Sequence, residues 1–329
     1  MHVVVLGAGS WGTTVAAVAA RRTATTIWAR DEVVADEINS SHANSRYLEG
    51  FRLHKRLNAT TNLEVAVSNA DVLVVGIPSG SFRTVLGTAA GYVRPWVPVV
   101  SLTKGFESGT NLRMTQVINE LLPGHPAAAL TGPNLALEIM ARQAAAAVIA
   151  TEDLSVAARL QEIFQTAMFR VYRNHDVVGC ELGGALKNVI AIATGMADGL
   201  GVGDNTKAMV MTRGLAELSR LGVAMGGEPE TFMGLAGMGD LIATCLSPQS
   251  RNRHVGEQLG RGRSLEEILD EMHMVAEGVK TTATVAEMAR VYGISMPVCN
   301  AIHQVIEGEI GPAEAYRGLT PAAHERDEG

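Results

Sequence analysis

A few short strings in this chain carry residue types and spacings that could do chemistry. Gly7-Ala8-Gly9-Ser10-Trp11-Gly12 has the G-x-G-x-x-G spacing that suits a dinucleotide pyrophosphate. Gly7 would permit the tight turn, Gly9 a close approach of the backbone to phosphate, and Gly12 close helix–strand packing. The helix that follows would turn its free amides and partial positive charge on the phosphates. The string alone is weak; it gains weight by following an apolar strand and opening a helix. Lys104 lies in Ser101-Leu102-Thr103-Lys104-Gly105, and Asn134 in Thr131-Gly132-Pro133-Asn134-Leu135-Ala136. Both strings follow strands, on the edge where open α/β sheets bind ligands.

Lys187 sits in the apolar string Gly183-Gly184-Ala185-Leu186-Lys187-Asn188. An ammonium there must find partners or reach solvent along its own stem. Farther on, Gly237-Met238-Gly239-Asp240-Leu241 runs through Thr244 to Ser250-Arg251-Asn252-Arg253. Ser250 could cap a helix with Arg251 and Asn252 in its first turn. Amide donors, helix dipole and guanidinium then converge as a phosphate requires, although an ordinary capped surface helix would read the same way.

These strings need elements to hold them. The first half alternates apolar runs with amphipathic stretches. Strands are expected at Val3–Leu6, Thr25–Trp28, Asp71–Ile77, Val97–Leu102, Ala127–Leu130, Ala144–Ala150 and Phe169–Tyr172. Helices are expected at Thr13–Arg22, Asp31–Asn39, Ser81–Ala90 and Asn111–Leu122. The βαβ alternation and the continuous apolar strands predict an α/β, Rossmann-type, doubly wound and mostly parallel sheet over 1–178. Beyond residue 176 strand signals vanish. Helical periodicity at Glu181–Met196, Lys207–Leu221 and Leu265–Met274 predicts an all-helical domain over 179–319. The polar segment 320–329 is expected to be a flexible tail.

Composition narrows the class. The chain has 329 residues, 47% hydrophobic and 19% charged, with 27 basic against 34 acidic side chains and a net charge of −7. That balance argues against a general nucleic-acid binder. Its three cysteines, Cys180, Cys245 and Cys299, have no CxxC spacing, and its nine histidines form no HxxxH or HExxH arrangement. A disulfide framework and a metal centre are therefore not expected, and a reducing compartment fits. No apolar run approaches a membrane span, and the start lacks the basic region of a signal peptide, so a cytoplasmic protein is expected.

One choice stays open. The second strand should end beside the adenosine ribose, where an acid favours NAD and an arginine accommodates the NADP phosphate. This chain has Arg30 followed by Asp31. Asp31 could equally begin the next helix, and Arg30 tilts the balance towards NADP.

Taken together and in order, these strings resemble the NAD(P)-dependent glycerol-3-phosphate dehydrogenase family, particularly its bacterial type. The resemblance runs from GAGSWG through LTKG, GPN-x-A-x-E, ELGGALKNVIAIATGMADGLG, TRGLAE, GLAGMGDLIATC and SRNR to Val275-Ala276-Glu277-Gly278. It implies a reversible redox step between dihydroxyacetone phosphate and sn-glycerol 3-phosphate, with NAD or NADP as cofactor and supply of phospholipid synthesis as the role. By the same resemblance Gly7, Gly9, Ser10, Trp11, Gly12, Arg30, Ala136, Val275 and Glu277 would bind cofactor. Lys104 would touch both ligands. Lys187 would be the acid/base, with Lys104 and Asp240 in the catalytic group. Gly132, Asn134, Asn188, Asp240, Thr244, Ser250, Arg251 and Asn252 would line the substrate site, Arg251 also reaching the cofactor. Asn134 stands where bacterial relatives often carry Ser or Thr. A substrate cleft between the domains and a homodimer are further family expectations. A reductase of another small hydroxy acid, or a dinucleotide sensor without catalysis, would share the glycine loop; the sensor would not need Lys187, Asn188 and Asp240 together.

Overall fold

Val3, Val4, Val5 and Leu6 are all fully buried, the burial expected of a strand covered on both faces. Their side chains alternate. Val3 and Val5 join a core with Val15, Ala16 and Ile38, while Val4 and Leu6 join a second with Phe82 and Leu86. Residues 1–272 and 275–318 are described in this computed structural model.

The strands are β1 (His2–Leu6), β2 (Ala24–Trp28), β3 (Leu57–Thr60), β4 (Val72–Val75), β5 (Val99–Ser101), β6 (Ala127–Thr131), β7 (Ala145–Ala150) and β8 (Phe169–Asn174). They form one sheet in the order β3-β2-β1-β4-β5-β6-β7-β8. Every pairing is parallel except β6 with β7, so the expected mostly parallel, doubly wound sheet is what forms. The connections carry α1 (Ser10–Ala19), α2 (Glu32–Ser41), α3 (Ser45–Leu48), α4 (Leu63–Val67), α5 (Ser79–Ala90), α6 (Met114–Leu121), α7 (Ala136–Met140) and α8 (Leu154–Phe164).

The winding reverses between β1 and β4, which makes their carboxyl ends the switch point where ligands bind in such sheets. Glycines crowd there. Gly7 has φ +106°, and a Cβ on it would lie 2.6 Å from the Gly76 carbonyl oxygen. A Cβ on Gly12 would strike the Gly7 carbonyl oxygen, whereas one on Gly9 would meet nothing within 4 Å. Gly7 and Gly12 are thus required by packing, and Gly9 leaves open space beside the loop.

The chain divides into two compact units, Met1–Glu181 and the remainder from Leu182. The boundary falls inside α9 (Val177–Gly199). In the first unit Glu181 anchors the start of that helix. Its carboxylate pairs with Arg113 at 2.6 Å and accepts the Thr115 amide at 2.9 Å and hydroxyl at 2.5 Å. The second unit continues through α10 (Asp204–Ala224), α11 (Pro229–Met233), a π-helical turn at Leu235–Gly239, α12 (Asp240–Leu246), α13 (Arg251–Gly260), α14 (Leu265–Glu271), α15 (Glu277–Tyr292), α16 (Pro297–Ile306) and α17 (Pro312–Gly318). Its described residues form no named strand.

By length and composition α9 could cross a membrane, yet 94% of its apolar window is buried inside the protein. It is a core helix. Buried Glu217 of α10 accepts the Val298 and Cys299 amides at 2.7 and 3.0 Å, capping α16. Desolvation raises its pKa above the ordinary carboxylate value, against those hydrogen bonds.

Several element bounds differ from the sequence expectation. The helix expected at 13–22 begins at Ser10, because extended Gly9 is its N-cap. The helix expected at 111–122 begins at Met114, because Asn111 is left-handed at φ 57° and Phe106 bridges Arg113. Strand β3 was not anticipated; only Leu57 of its four residues is buried, which is the pattern of a sheet edge. Helices α3, α4 and α7 have four or five residues, too short for periodicity to show. Helix α8, capped by Asp153 through the Ser155 amide at 2.7 Å, was also missed. The helix expected at 265–274 is observed to Glu271, and Met274 and the segment 320–329 lie outside the described residues.

The two loop glycines should therefore separate on substitution. Gly12→Ala is expected to cost about 1–3 kcal/mol through overpacking, and Gly9→Ala, at φ −72°, very little. Thermal unfolding of the two variants beside the parent chain measures the difference.

Candidate active site

The first unit holds one group of predicted residues on the carboxyl edge of its sheet. Lys104 follows β5, and its ammonium donates to the Gly132 carbonyl at 3.1 Å and to Asn134 Oδ1 at 2.9 Å. Gly132, at φ +114°, brings its backbone against β7, where a Cβ would lie 3.2 Å from the Ala147 Cα. The Lys104 bond fixes the Asn134 amide with oxygen towards the ammonium. Its Nδ2 is left buried and without a protein partner, as are Trp11 Nε1 and Thr131 Oγ1. Buried donors are normally satisfied, so these three groups point to a polar ligand.

The glycine loop belongs to the same edge. Ser10 donates its hydroxyl to the Tyr47 carbonyl at 3.1 Å. The Trp11 ring packs edge-on against Phe169, with centroids 6.4 Å apart. Ala136 opens α7. Arg30 and Asp31 follow β2, with Arg30 exposed. The space at Gly9 and the unpartnered donors at Trp11 and Asn134 fit a bound dinucleotide.

The second unit holds the other group, arranged around buried Lys187. Its Nζ lies 2.8 Å from Asp240 Oδ1 and donates to the Thr244 hydroxyl, which in turn donates to the Asp240 carbonyl at 2.7 Å. Lys187 is 4% exposed and Asp240 2%. At that depth the ion pair and hydroxyl offset a desolvation that would otherwise be prohibitive. Backbone packing delivers the partners. A Cβ on Gly183, one turn before Lys187, would lie 2.7 Å from the Ala236 carbonyl, one turn before Asp240. The contact comes from the π-helical turn, a feature often found at functional sites. Asn188, next in the chain, is also buried.

Helix α13 packs on α9 with almost no side chain between them. Cβ atoms on Gly195 or Gly256 would strike the Arg253 or Ile192 carbonyl oxygens respectively. Arg253 closes the join by pairing with Asp198 at 2.6 Å, an acid that also holds Lys207 at 3.1 Å. The N-terminus of α13 is thereby fixed relative to the Lys187 helix. Ser250 caps it through the Arg253 amide at 3.2 Å. Asn252 Oδ1 accepts the Gly278 amide at 3.0 Å, which leaves its Nδ2 as the donor for a ligand. Arg251 is exposed, and its charge interacts favourably with that of Glu277, the first residue of α15. Val275 is exposed at 41%. Cys245 is nearby but inert, its thiol pushed up to about 11 by burial.

The structure thus joins Lys104 with Gly132 and Asn134, and Lys187 with Asp240 and Thr244. Sequence reasoning missed Gly76, Asn44, Arg46 and Tyr47 beside the glycine loop, and Asp198 behind α13. Only Asp198 had a signal, as a charge at the end of an apolar helix.

Known proteins resemble this chain over nearly its whole length. The family description for the NAD-dependent glycerol-3-phosphate dehydrogenase N-terminus matches residues 2–157, and that for its C-terminus matches 176–317. A glycerol-3-phosphate dehydrogenase [NAD(P)+] from Sphingopyxis alaskensis is 56% identical over 97% of this chain and 96% of its own. One from Mycobacterium tuberculosis is 55% identical over 96% of this chain and 93% of its own. The crystal structure of glycerol-3-phosphate dehydrogenase from Coxiella burnetii superposes with a TM-score of 0.92 at 34% identity, covering 97% of this chain and 98% of that one. With the glycine loop, the lysine–carboxylate pair and both halves of the sequence in agreement, the chain belongs to the NAD-dependent glycerol-3-phosphate dehydrogenase family.

Proposed function

We propose that Lys187 is the acid/base of the reaction this chain catalyses as an sn-glycerol-3-phosphate dehydrogenase, the reversible interconversion of dihydroxyacetone phosphate and sn-glycerol 3-phosphate with NAD or NADP. The observation that carries the proposal is the buried ammonium of Lys187, held by Asp240 and Thr244. When bound, the nicotinamide supplies or accepts the hydride at C2, chemistry that belongs to the cofactor. The loop Gly7–Gly12, with Trp11, Arg30, Lys104, Ala136, Val275 and Glu277, would hold it.

The chain's own groups manage charge and protons. In reduction, negative charge grows on the C2 oxygen. The Lys187 ammonium stabilises that charge and donates its proton; in oxidation the neutral amine takes the hydroxyl proton. Asp240 orients the ammonium and Thr244 fixes its direction. Lys104 presents a second positive charge, and Asn134 Nδ2 offers a donor to a ligand oxygen. Arg251, Asn252 Nδ2 and the α13 amides would hold the substrate phosphate, and that remote binding energy orients C2. The same family reading carries a homodimer, a cytoplasmic location and a product used in phospholipid synthesis.

Consumption of NADPH and NADH, followed by reduced-nicotinamide absorbance with dihydroxyacetone phosphate, tests the reaction directly. Oxidation that depends on the phosphorylated ketone is expected. Lys187→Ala should lower turnover about 10²- to 10⁴-fold and, by removing the cation that pairs with buried Asp240, cost about 3–5 kcal/mol of stability. Adding Asp240→Asn should recover stability without recovering turnover, so a folded double variant with near-normal turnover removes Lys187 from the mechanism. Arg251→Ala should raise KM for dihydroxyacetone phosphate about ten- to a hundredfold, as loss of a charge-assisted phosphate contact implies. Initial rates against substrate concentration decide this, and an unchanged KM moves the phosphate elsewhere.

A further inference from the structure

The end of β2 presents opposite charges side by side, and sequence leaves open which of them meets the adenosine ribose. The structure shows what Asp31 already does. Its Oδ1 accepts the Val33 amide at 3.0 Å and so caps α2. Its Oδ2 accepts Arg46 Nη1 at 2.9 Å. Arg30, by contrast, makes no hydrogen bond or ion pair with the described residues.

Arg46 is held in place next to the glycine loop. Asn44, fully buried, donates its amide to the Ala8 carbonyl and to the Thr13 hydroxyl, both at 2.9 Å. The Tyr47 carbonyl accepts the Ser10 hydroxyl. The short helix α3 is thus tied on both sides of Arg46 to the segment that would cradle the pyrophosphate. The Arg46 guanidinium also lies 5.5 Å from the centroid of the Tyr47 ring.

The Asp31–Arg46 pair is half exposed, with side chains 44% and 57% accessible, and such pairs add little to stability. Its consequence is local charge. Asp31 has one guanidinium, that of Arg46, as its ion-pair partner, and Arg30, its neighbour in sequence, adds an exposed second cation, leaving a net positive charge where β2 ends. A ribose 2′-hydroxyl is recognised by a carboxylate, and a 2′-phosphate by a guanidinium. We propose that Arg46 is a specificity-determining residue: by engaging Asp31 it suppresses repulsion of the 2′-phosphate, and with Arg30 it sets the preference for NADP(H). This rests on the dinucleotide reading of the Gly7–Gly12 loop.

The test is equilibrium binding rather than turnover. Dissociation constants for NADPH and NADH are measured by nucleotide fluorescence for the parent chain, Arg46→Gln, Arg46→Lys and Asp31→Asn. Displacement by adenosine 2′,5′-bisphosphate and by 5′-AMP isolates the 2′-phosphate. Arg46→Gln should shift the affinity ratio towards NADH by on the order of tenfold or more, the scale of one charge-assisted contact. Arg46→Lys should recover part of that shift. Asp31→Asn keeps a capping side chain and should move the ratio the opposite way. The proposal is overturned if Arg46→Gln weakens both nucleotides equally, which is the result of a merely structural role, or if Asp31→Asn favours NADH. A parent chain that binds neither nucleotide overturns the loop reading itself.

Discussion

An ammonium buried in an apolar helix cannot stand alone, and much of the second unit is arranged to answer that constraint. Lys187 needs a carboxylate and a hydrogen-bond acceptor at fixed distances, because the cost of taking its charge out of water is met only by good geometry. Asp240 and Thr244 supply both from α12. They can do so because Gly183 lets the π-helical turn touch α9 backbone to backbone, where a Cβ would collide with the Ala236 carbonyl, and because Gly237 lets that turn fold tightly against Phe232 of α11. The same device recurs about two and three turns beyond Lys187, where Gly195, Gly199, Gly256 and Gly260 bring α13 against the lysine helix. Glycine weakens a helix interior by about 0.5–1 kcal/mol relative to alanine. Spending several in one helix is intelligible only if the close approach matters more.

The first unit works differently. Its sheet is an ordinary two-sided core, and its functional content lies in groups left unsatisfied along one edge. Trp11, Thr131 and Asn134 each bury a polar atom without a protein partner, and Lys104 takes up only the oxygen of the Asn134 amide. A protein that gained nothing from ligands would be more stable with those atoms paired. Asn134 makes the point: an amide can accept from Lys104 and still donate outward, which a Ser or Thr does with a single hydroxyl.

Charge at the end of β2 shows why residue identity alone was insufficient. Arg30 and Asp31 are adjacent in sequence, and either assignment was consistent with the strand ending there. Their roles separate only when α3 folds back to bring Arg46 to Asp31, fifteen positions away. Nothing in the local pattern marks Arg46 or Asn44, because α3 has four residues and no periodicity.

By itself the sequence determined the alternation of strands and helices, the change to helices after β8, the glycine loop, and the clusters around Lys104, Lys187 and Arg251. These are legible because burial on both faces imposes continuous apolar strands, and phosphate binding imposes small residues and caps at fixed spacing. Tertiary structure decided the rest. The edge strand β3 was hidden because only Leu57 is buried. The pairing of Lys187 with Asp240 joins residues 53 positions apart, and Asp198 supports α13 through Arg253 at 55. Such contacts depend on which backbones can approach, a matter of helix packing in three dimensions that no local spacing encodes.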